Sequence, residues 1–169
     1  SDKPDIRFDM KFVEVTDIAK GKDFSVFDNA ELVVGICAKG QAANYSNKDI
    51  KNLTSWLQRP QIGAKGLVYI KFNEDGTVKS PVGKFYSEED LRIFGERFGA
   101  EAGDMLLILS GDADATRKQL CELRLEMGEK MGHLKFTPCS ENFFSEIEKA
   151  KVSTDENYWI CTIIHHKLK

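Results

Sequence analysis

The sequence feature that most restricts the possible folds of this chain is a continuous apolar run at residues 31–38. The run has the length of a β-strand and is rich in β-branched side chains, and a polar loop follows it after Gly40. A second apolar run, at residues 105–109, follows a turn at Gly103 and Asp104. Both runs predict buried strands, so we expect a sheet at the centre of the fold.

Three further stretches carry helix signals. Ser46 precedes the first, with Asp49 placed three residues later as in a capping box. Ser87 precedes the second, and Asp112 or Asp114 caps the third. Positions that share one helical face in these stretches are Ile50, Leu53, Leu57, Leu91, Phe94, Phe98, Thr116, Leu120, Leu123 and Met127. We therefore predict three helices, each with one buried face.

A β-hairpin is expected between the first two helices. Residues 67–72 read as a strand, and Asp75 with Gly76 supplies the positive φ of a tight turn. The partner strand is predicted over about residues 77–85, with Pro81 marking an edge position or a bulge.

The N-terminal part of the chain is extended near residues 10–15, and three side chains beyond it are expected as core anchors, namely Phe24, Val26 and Phe27. The element order predicts one α+β unit with helices packed on a sheet. We expect residues 1–30 to be a lead-in segment that packs on a domain of residues 31–132. Residues 133–169 form a tail with little material for an independent fold.

Charge and hydropathy exclude several classes of protein. The chain has 24 Lys and Arg against 27 Asp and Glu, a formal net charge of -3, and no strongly basic segment. A free-standing, high-affinity nucleic-acid binder is therefore not expected, and any RNA contact would come from a locally arranged face. No apolar run reaches the roughly 18 residues of a membrane span. Residues 1–10 lack the apolar region of a signal peptide, so we expect a cytoplasmic protein.

Catalytic and metal motifs are weak. Gly35 and Gly40 have P-loop spacing, but Gln41 and Ala42 follow where phosphate chemistry needs Lys and Ser or Thr, so a turn is expected. The metal-capable residues are Cys139, Cys161, His133, His165 and His166, and their irregular gaps do not suit zinc. Acidic pairs at helix starts are explained by capping. We predict no catalytic residue and no metal site in the chain.

Short motifs over residues 1–132 nevertheless agree in order and spacing with a known family. They lie at residues 1–8, 15–18, 23–27, 62–67, 69–71, 80–85, 103–104 and 120–125. In this order they resemble the GAD insertion domain of bacterial-type aspartyl-tRNA synthetases, which also occurs in the B subunit of Glu/Asp-tRNA amidotransferases. The segment at residues 1–8 makes the synthetase the closer resemblance of the two.

The resemblance implies a two-layer α+β domain, with helices on one face of a mainly antiparallel sheet. The family enzyme is a cytoplasmic class II ligase of protein biosynthesis that uses ATP and Mg to charge tRNA with aspartate. The class II signature motifs are not expected in this chain, so we predict that it binds no cofactor and is inactive by itself. Its implied role is to assist in positioning the acceptor arm of the tRNA.

The partners implied by the resemblance are tRNA, bound weakly, and the remaining synthetase domains, with no membrane and no DNA. The tRNA-contact candidates are Lys48, Lys51, Lys65, Lys84 and Arg124. Lys84 and Arg124 are equally suited to structural ion pairs, and a solvated helix face is the ordinary role of such charges. The alternative function is a structural or protein–protein interaction module without direct RNA contact.

Overall fold

The computed structural model describes residues 10–130, within which ten elements follow one another. In chain order they are β1 (Val13–Glu14), α1 (Thr16–Ala19), α2 (Ser25–Asp28), β2 (Leu32–Ala38), α3 (Asn47–Leu57), β3 (Val68–Phe72), β4 (Val78–Lys79), α4 (Glu88–Phe98), β5 (Met105–Gly111) and α5 (Ala113–Lys130).

The five strands in this part of the chain form one sheet in the order β1-β2-β5-β3-β4, and every neighbouring pair is antiparallel. The two predicted buried strands, β2 and β5, pair along their full length, from Leu32 opposite Gly111 to Ala38 opposite Met105. The predicted α+β class and antiparallel sheet are therefore confirmed.

Helices cover both faces of this sheet, whereas the resemblance implied helices on one face. Along β2, Val34 and Ile36 pack against α3 and α5, whereas Val33 and Cys37 lie in the core with α1, α2 and α4. Successive side chains of a strand point to opposite faces, so an unbroken apolar strand needs cover on each. The domain accordingly has three layers rather than two.

Side-chain caps fix where each of the three predicted helices begins. The Ser46 hydroxyl accepts a hydrogen bond from the Asp49 N–H at 3.2 Å, and the Asp49 carboxylate accepts one from the Ser46 N–H at 2.8 Å. Ser87 and Asp90 form the same capping box before α4. At α5, the Asp112 carboxylate accepts from the Ala115 N–H at 3.0 Å, which resolves the choice between the two predicted caps.

The predicted apolar helix faces are buried as expected. They fill the two cores with Ile50, Leu53, Leu57, Leu120, Leu123 and Met127 on one side and Leu91, Phe94 and Phe98 on the other. Val26, in contrast, is 51% exposed, so its prediction as a core anchor is wrong. The one-turn helix α2 turns Phe27 into the core instead, and Phe24 packs partly buried beside it.

The hairpin forms as predicted at its turn, with Gly76 at a φ of 85° and the Asn73 N–H donating to the Thr77 carbonyl at 2.9 Å. The partner strand is much shorter than residues 77–85, because β4 ends at Lys79. Turns follow, in which Val82 and Tyr86 enter the core on the α4 side.

Residues 10–30 contribute buried side chains, among them Val15 and Ala19, to the same core as α4. The division of the chain at residues 30/31 and 132/133 stays a prediction, and residues 1–9 and 131–169 lie outside the described part.

Candidate nucleic-acid interface

Three of the five predicted contact residues are exposed on α3 or in the loop that follows it. Lys48 and Lys51 are exposed on α3, away from its buried face. Lys65 is exposed in the loop after α3, where its carbonyl accepts a hydrogen bond from the Gln58 amide at 2.9 Å. These three lysine side chains lie outside the core, along one helix and the loop that follows it.

Of the other two predicted residues, Arg124 lies on α5, which covers the same face of the sheet as α3. Lys84 is exposed in a segment whose neighbours Val82 and Tyr86 pack into the core on the α4 side. Arg124 is half-buried on α5 and takes part in interactions within the protein. The exposed candidates beside α3 are therefore Lys48, Lys51 and Lys65.

Sequence reasoning missed a buried lysine beside this surface. Lys71 on β3 is only 9% exposed, and its ammonium donates a hydrogen bond to the carbonyl oxygen of Tyr45, just before α3. The same ammonium lies 5.7 Å from the centre of the Tyr69 ring. Burial, reinforced by the charge of Lys79, lowers the pKa of Lys71. The sequence signal that pointed to this buried lysine was its position within the apolar run at residues 67–72.

Lys71 and Lys79 stand directly opposite each other in the β3–β4 ladder, so their side chains share one face. Asp49 is the acidic group whose charge acts on Lys71, and Asp75 is the one that Lys79 affects. Both carboxylates are engaged elsewhere. Asp49 accepts from the Ser46 hydroxyl at 2.6 Å, and Asp75 from the Thr77 hydroxyl at 2.6 Å.

These engagements keep both acids ionised. The Ser46 hydroxyl, and then the Ser46 N–H, lower the pKa of Asp49. Thr77 lowers the pKa of Asp75 through the same two kinds of hydrogen bond. Two cations therefore face each other at the edge of the sheet. The carboxylates of Asp49 and Asp75 near them serve a helix cap and a turn.

A second buried charge, Asp104, joins two loops. Its carboxylate accepts from the Gly40 N–H at 2.8 Å and the Glu101 N–H at 2.9 Å, and it pairs with the Lys39 ammonium at 3.0 Å. Burial alone would raise the pKa of Asp104, but these three donors outweigh it and lower the pKa. Because both carboxylate oxygens already have partners, the group suits a structural role better than proton transfer.

Cys37 does not supply a nucleophile. It is buried on β2, and burial together with the charge of Asp104 raises the pKa of its thiol to about 12. The thiolate is the reactive form of cysteine, so this thiol is inert near neutral pH.

Residues 10–130 contain no group of three or more His, Cys, Asp or Glu side chains that could hold a metal ion. The predicted metal-capable cysteines and histidines fall outside that range. In the same range, no helix is both long enough and apolar enough to span a bilayer.

A cleft of about 260 Å³ lies between the β3–β4 hairpin and α4, lined by Phe72, Asn73, Arg92 and Glu96 among others. Two polar groups at its rim are already hydrogen-bonded within the protein. Arg92 donates to the Glu88 carboxylate at 2.6 Å and to the Gly76 carbonyl at 3.1 Å, and the Asn73 amide donates to Thr77 at 2.9 Å. The cleft assembles no acid–base pair and no nucleophile.

The described residues thus form a small α+β domain in which the buried carboxylate of Asp104 is structural, with lysines exposed beside α3. The family model of the GAD domain matches residues 25–121, and the chain belongs to that family. Curated relatives place it more narrowly. The chain is 62% identical over 133 residues to aspartate–tRNA ligases of Bacteroides fragilis and Parabacteroides distasonis, and 54% identical over 132 residues to that of Flavobacterium psychrophilum.

These matches cover 78% of the chain but only 22–23% of each relative. The resemblance to the GAD insertion domain of aspartyl-tRNA synthetases is therefore confirmed, and the chain spans less than a quarter of the length of the ligases it matches. The catalytic activity of those ligases belongs to proteins much longer than this chain.

Proposed function

We propose that the chain acts as an accessory domain of an aspartate–tRNA ligase, assisting in positioning the tRNA acceptor arm without catalysing aspartylation itself. The observation that carries the proposal is the 62% identity to proteins named aspartate–tRNA ligase, over most of this chain. In this proposal the protein is cytoplasmic, and ATP and Mg are handled by the remaining synthetase domains.

The surface chemistry supports weak RNA contact. Lys48, Lys51 and Lys65 expose ammonium groups on one side of the domain, where they can reach backbone phosphates. With a net charge of -3 the chain repels RNA at long range, so only local contacts contribute. The affinity of the domain alone should be modest and strongly salt-dependent.

Fluorescence titration of the full chain with aspartate tRNA at low salt tests the proposal. We expect binding that weakens steeply as salt is added. Absence of binding even at low salt would refute direct RNA contact. An ATP–pyrophosphate exchange assay with aspartate provides the second measurement: it should read zero, and turnover would contradict the accessory role.

A protein–protein interaction module is the second candidate, favoured by exposed apolar side chains. Val26 and Phe85 are 51% and 41% exposed, and the Phe85 ring lies 5.0 Å from that of Phe24. Apolar groups clustered at a surface are typical of docking sites. Sedimentation over a range of concentrations separates the candidates, because self-association that Val26→Ser abolishes, without tRNA binding, would favour this one.

A further inference from the structure

We propose that Lys79, supported by the buried charge of Lys71, is a contact for a phosphate of the RNA backbone. The inference rests on the proposed function and deepens it, because it places a contact at the edge of the sheet, outside the lysines named from the sequence. Lys79 is the group that touches the phosphate, and Lys71 is a positioning residue that strengthens the local positive potential.

Lys71 and Lys79 are direct cross-strand partners, and like charges in that arrangement are destabilising. Lys71 cannot swing away, because its side chain is buried and its ammonium is held by the Tyr45 carbonyl. Burial and then the charge of Lys79 lower the pKa of Lys71, in keeping with the cross-strand pairing.

No ion pair among the described residues offsets this repulsion, and the charge of Asp49 counters it only in part at Lys71. Within residues 10–130, neither ammonium forms an ion pair with a carboxylate. The acids nearby, Asp49 and Asp75, serve a helix cap and a turn. A phosphate beside Lys79 would convert the repulsion into attraction, which is the behaviour expected where a local rule is broken for function.

Lys79 is accessible to a ligand. Among residues 10–130, β4 is the last strand of the sheet, and Lys79 is exposed on it, so no described strand lies beyond this residue. A lysine on an edge strand also deters unwanted strand pairing, and that role would be sufficient for Lys79 alone. It does not account for a second, buried lysine directly opposite.

The test compares Lys79→Gln with Lys20→Gln in the full chain. Lys20 is an exposed lysine at the end of α1, whose packing partners lie on the other face of the sheet, and its substitution removes the same charge. Aspartate tRNA is titrated at several salt concentrations. For Lys79→Gln we expect an affinity about threefold to tenfold lower at low salt, with a salt slope smaller in magnitude by about 0.7–0.9, the value for one phosphate. Lys20→Gln should match the wild type.

The outcomes separate the two proposals. If the wild type binds tRNA and Lys79→Gln binds with the same affinity and slope, the Lys79 contact is refuted and the proposed function stands. If the wild type does not bind tRNA, both the Lys79 contact and direct RNA contact by the domain are refuted. If polyglutamate binds as well as tRNA and loses as much affinity in Lys79→Gln, an acidic protein is the ligand and the RNA assignment is overturned. If Lys79→Gln unfolds at or above the wild-type melting temperature, its weaker binding is not caused by a loss of folding.

Discussion

Asp104 is a single residue that ties the loop after β2 to the turn before β5. It is 4% exposed, and its carboxylate accepts from Gly40, Glu101 and Lys39. In Asp104→Asn one carboxylate oxygen becomes an NH₂ group facing a donor, and the Lys39 pair is lost. We expect the free energy of unfolding to fall by about 3 kcal/mol in urea denaturation. Asp114→Asn, whose side chain is 86% exposed, should change it by less than about 0.5 kcal/mol.

The same residue predicts a pH dependence. The pKa of Asp104 is lower in the folded protein than its ordinary value, so its contribution is fully present above that ordinary value, about pH 4. The contribution is lost as the pH falls through the folded-state pKa. The stability difference between wild type and Asp104→Asn should therefore be constant from about pH 5 to pH 7 and shrink below about pH 4. A difference that stays unchanged down to pH 3 would contradict this account.

Lys79 makes the opposite kind of prediction, a gain in stability. Lys79→Glu places an opposite charge across from Lys71, and a cross-strand ion pair in place of a like-charge pair should raise the free energy of unfolding by up to about 1 kcal/mol. Urea denaturation measures the change, with Lys20→Glu as the control. A loss of stability larger than that of the control would mean that the two lysines do not repel each other in the folded protein.

Among the elements, β2 depends on the absence of a side chain at Gly35. A Cβ there would lie 2.5 Å from the Leu107 carbonyl oxygen of β5 and 3.0 Å from the Phe98 ring of α4. The strand carbonyl cannot move without breaking the ladder, so Gly35→Ala should cost about 1–3 kcal/mol of unfolding free energy. Gly66→Ala has open space around it and should be neutral within about 0.5 kcal/mol. Equal melting temperatures for the two variants would refute the close approach.

The elements that the sequence predicts well are those governed by neighbours along the chain. The caps at Ser46 and Ser87 involve partners three residues away, and the turn at Gly76 depends on its own backbone. Contacts across the fold escape such reasoning. Lys71 meets Tyr45 from 26 positions away, and Asp104 meets Gly40 from 64 positions away. The five predicted contacts were therefore chosen without knowing which of them lie together, and the cation pair at the sheet edge required the strand register.

The short β4 shows how tertiary contacts override a plausible strand pattern. The Ser80 hydroxyl donates to the Tyr69 carbonyl at 2.7 Å and ends the pairing that residues 77–85 were expected to continue. Tyr86 then reaches across to donate to the Ala19 carbonyl, which anchors the segment on the α4 side. That anchor cannot be read from the local sequence, because Ala19 lies 67 positions away.

For the whole molecule, one sheet serves two cores, since Leu106 and Leu107 are neighbours on β5 but belong to opposite cores. Neither core can be lost without exposing strands that the other needs, so the domain should unfold as one unit. The variant Phe94→Ala tests this from the α4 side, and the fluorescence of Trp56, which packs beside the other core, reports the result.

We expect Phe94→Ala to lower the unfolding free energy by about 3–5 kcal/mol, a large share of the stability of a domain this size. In a Trp159→Phe background, Trp56 fluorescence should then report the same urea midpoint as far-ultraviolet circular dichroism, although the substitution is on the opposite face. The matched change on the α3 side, Leu53→Ala, should shift both signals together in the same way. If Phe94→Ala shifts the circular dichroism transition and leaves the Trp56 transition at its wild-type midpoint, the two cores unfold independently. The central strands then do not couple the two faces, and the sheet edge at Lys79 could be perturbed without affecting the α4 side.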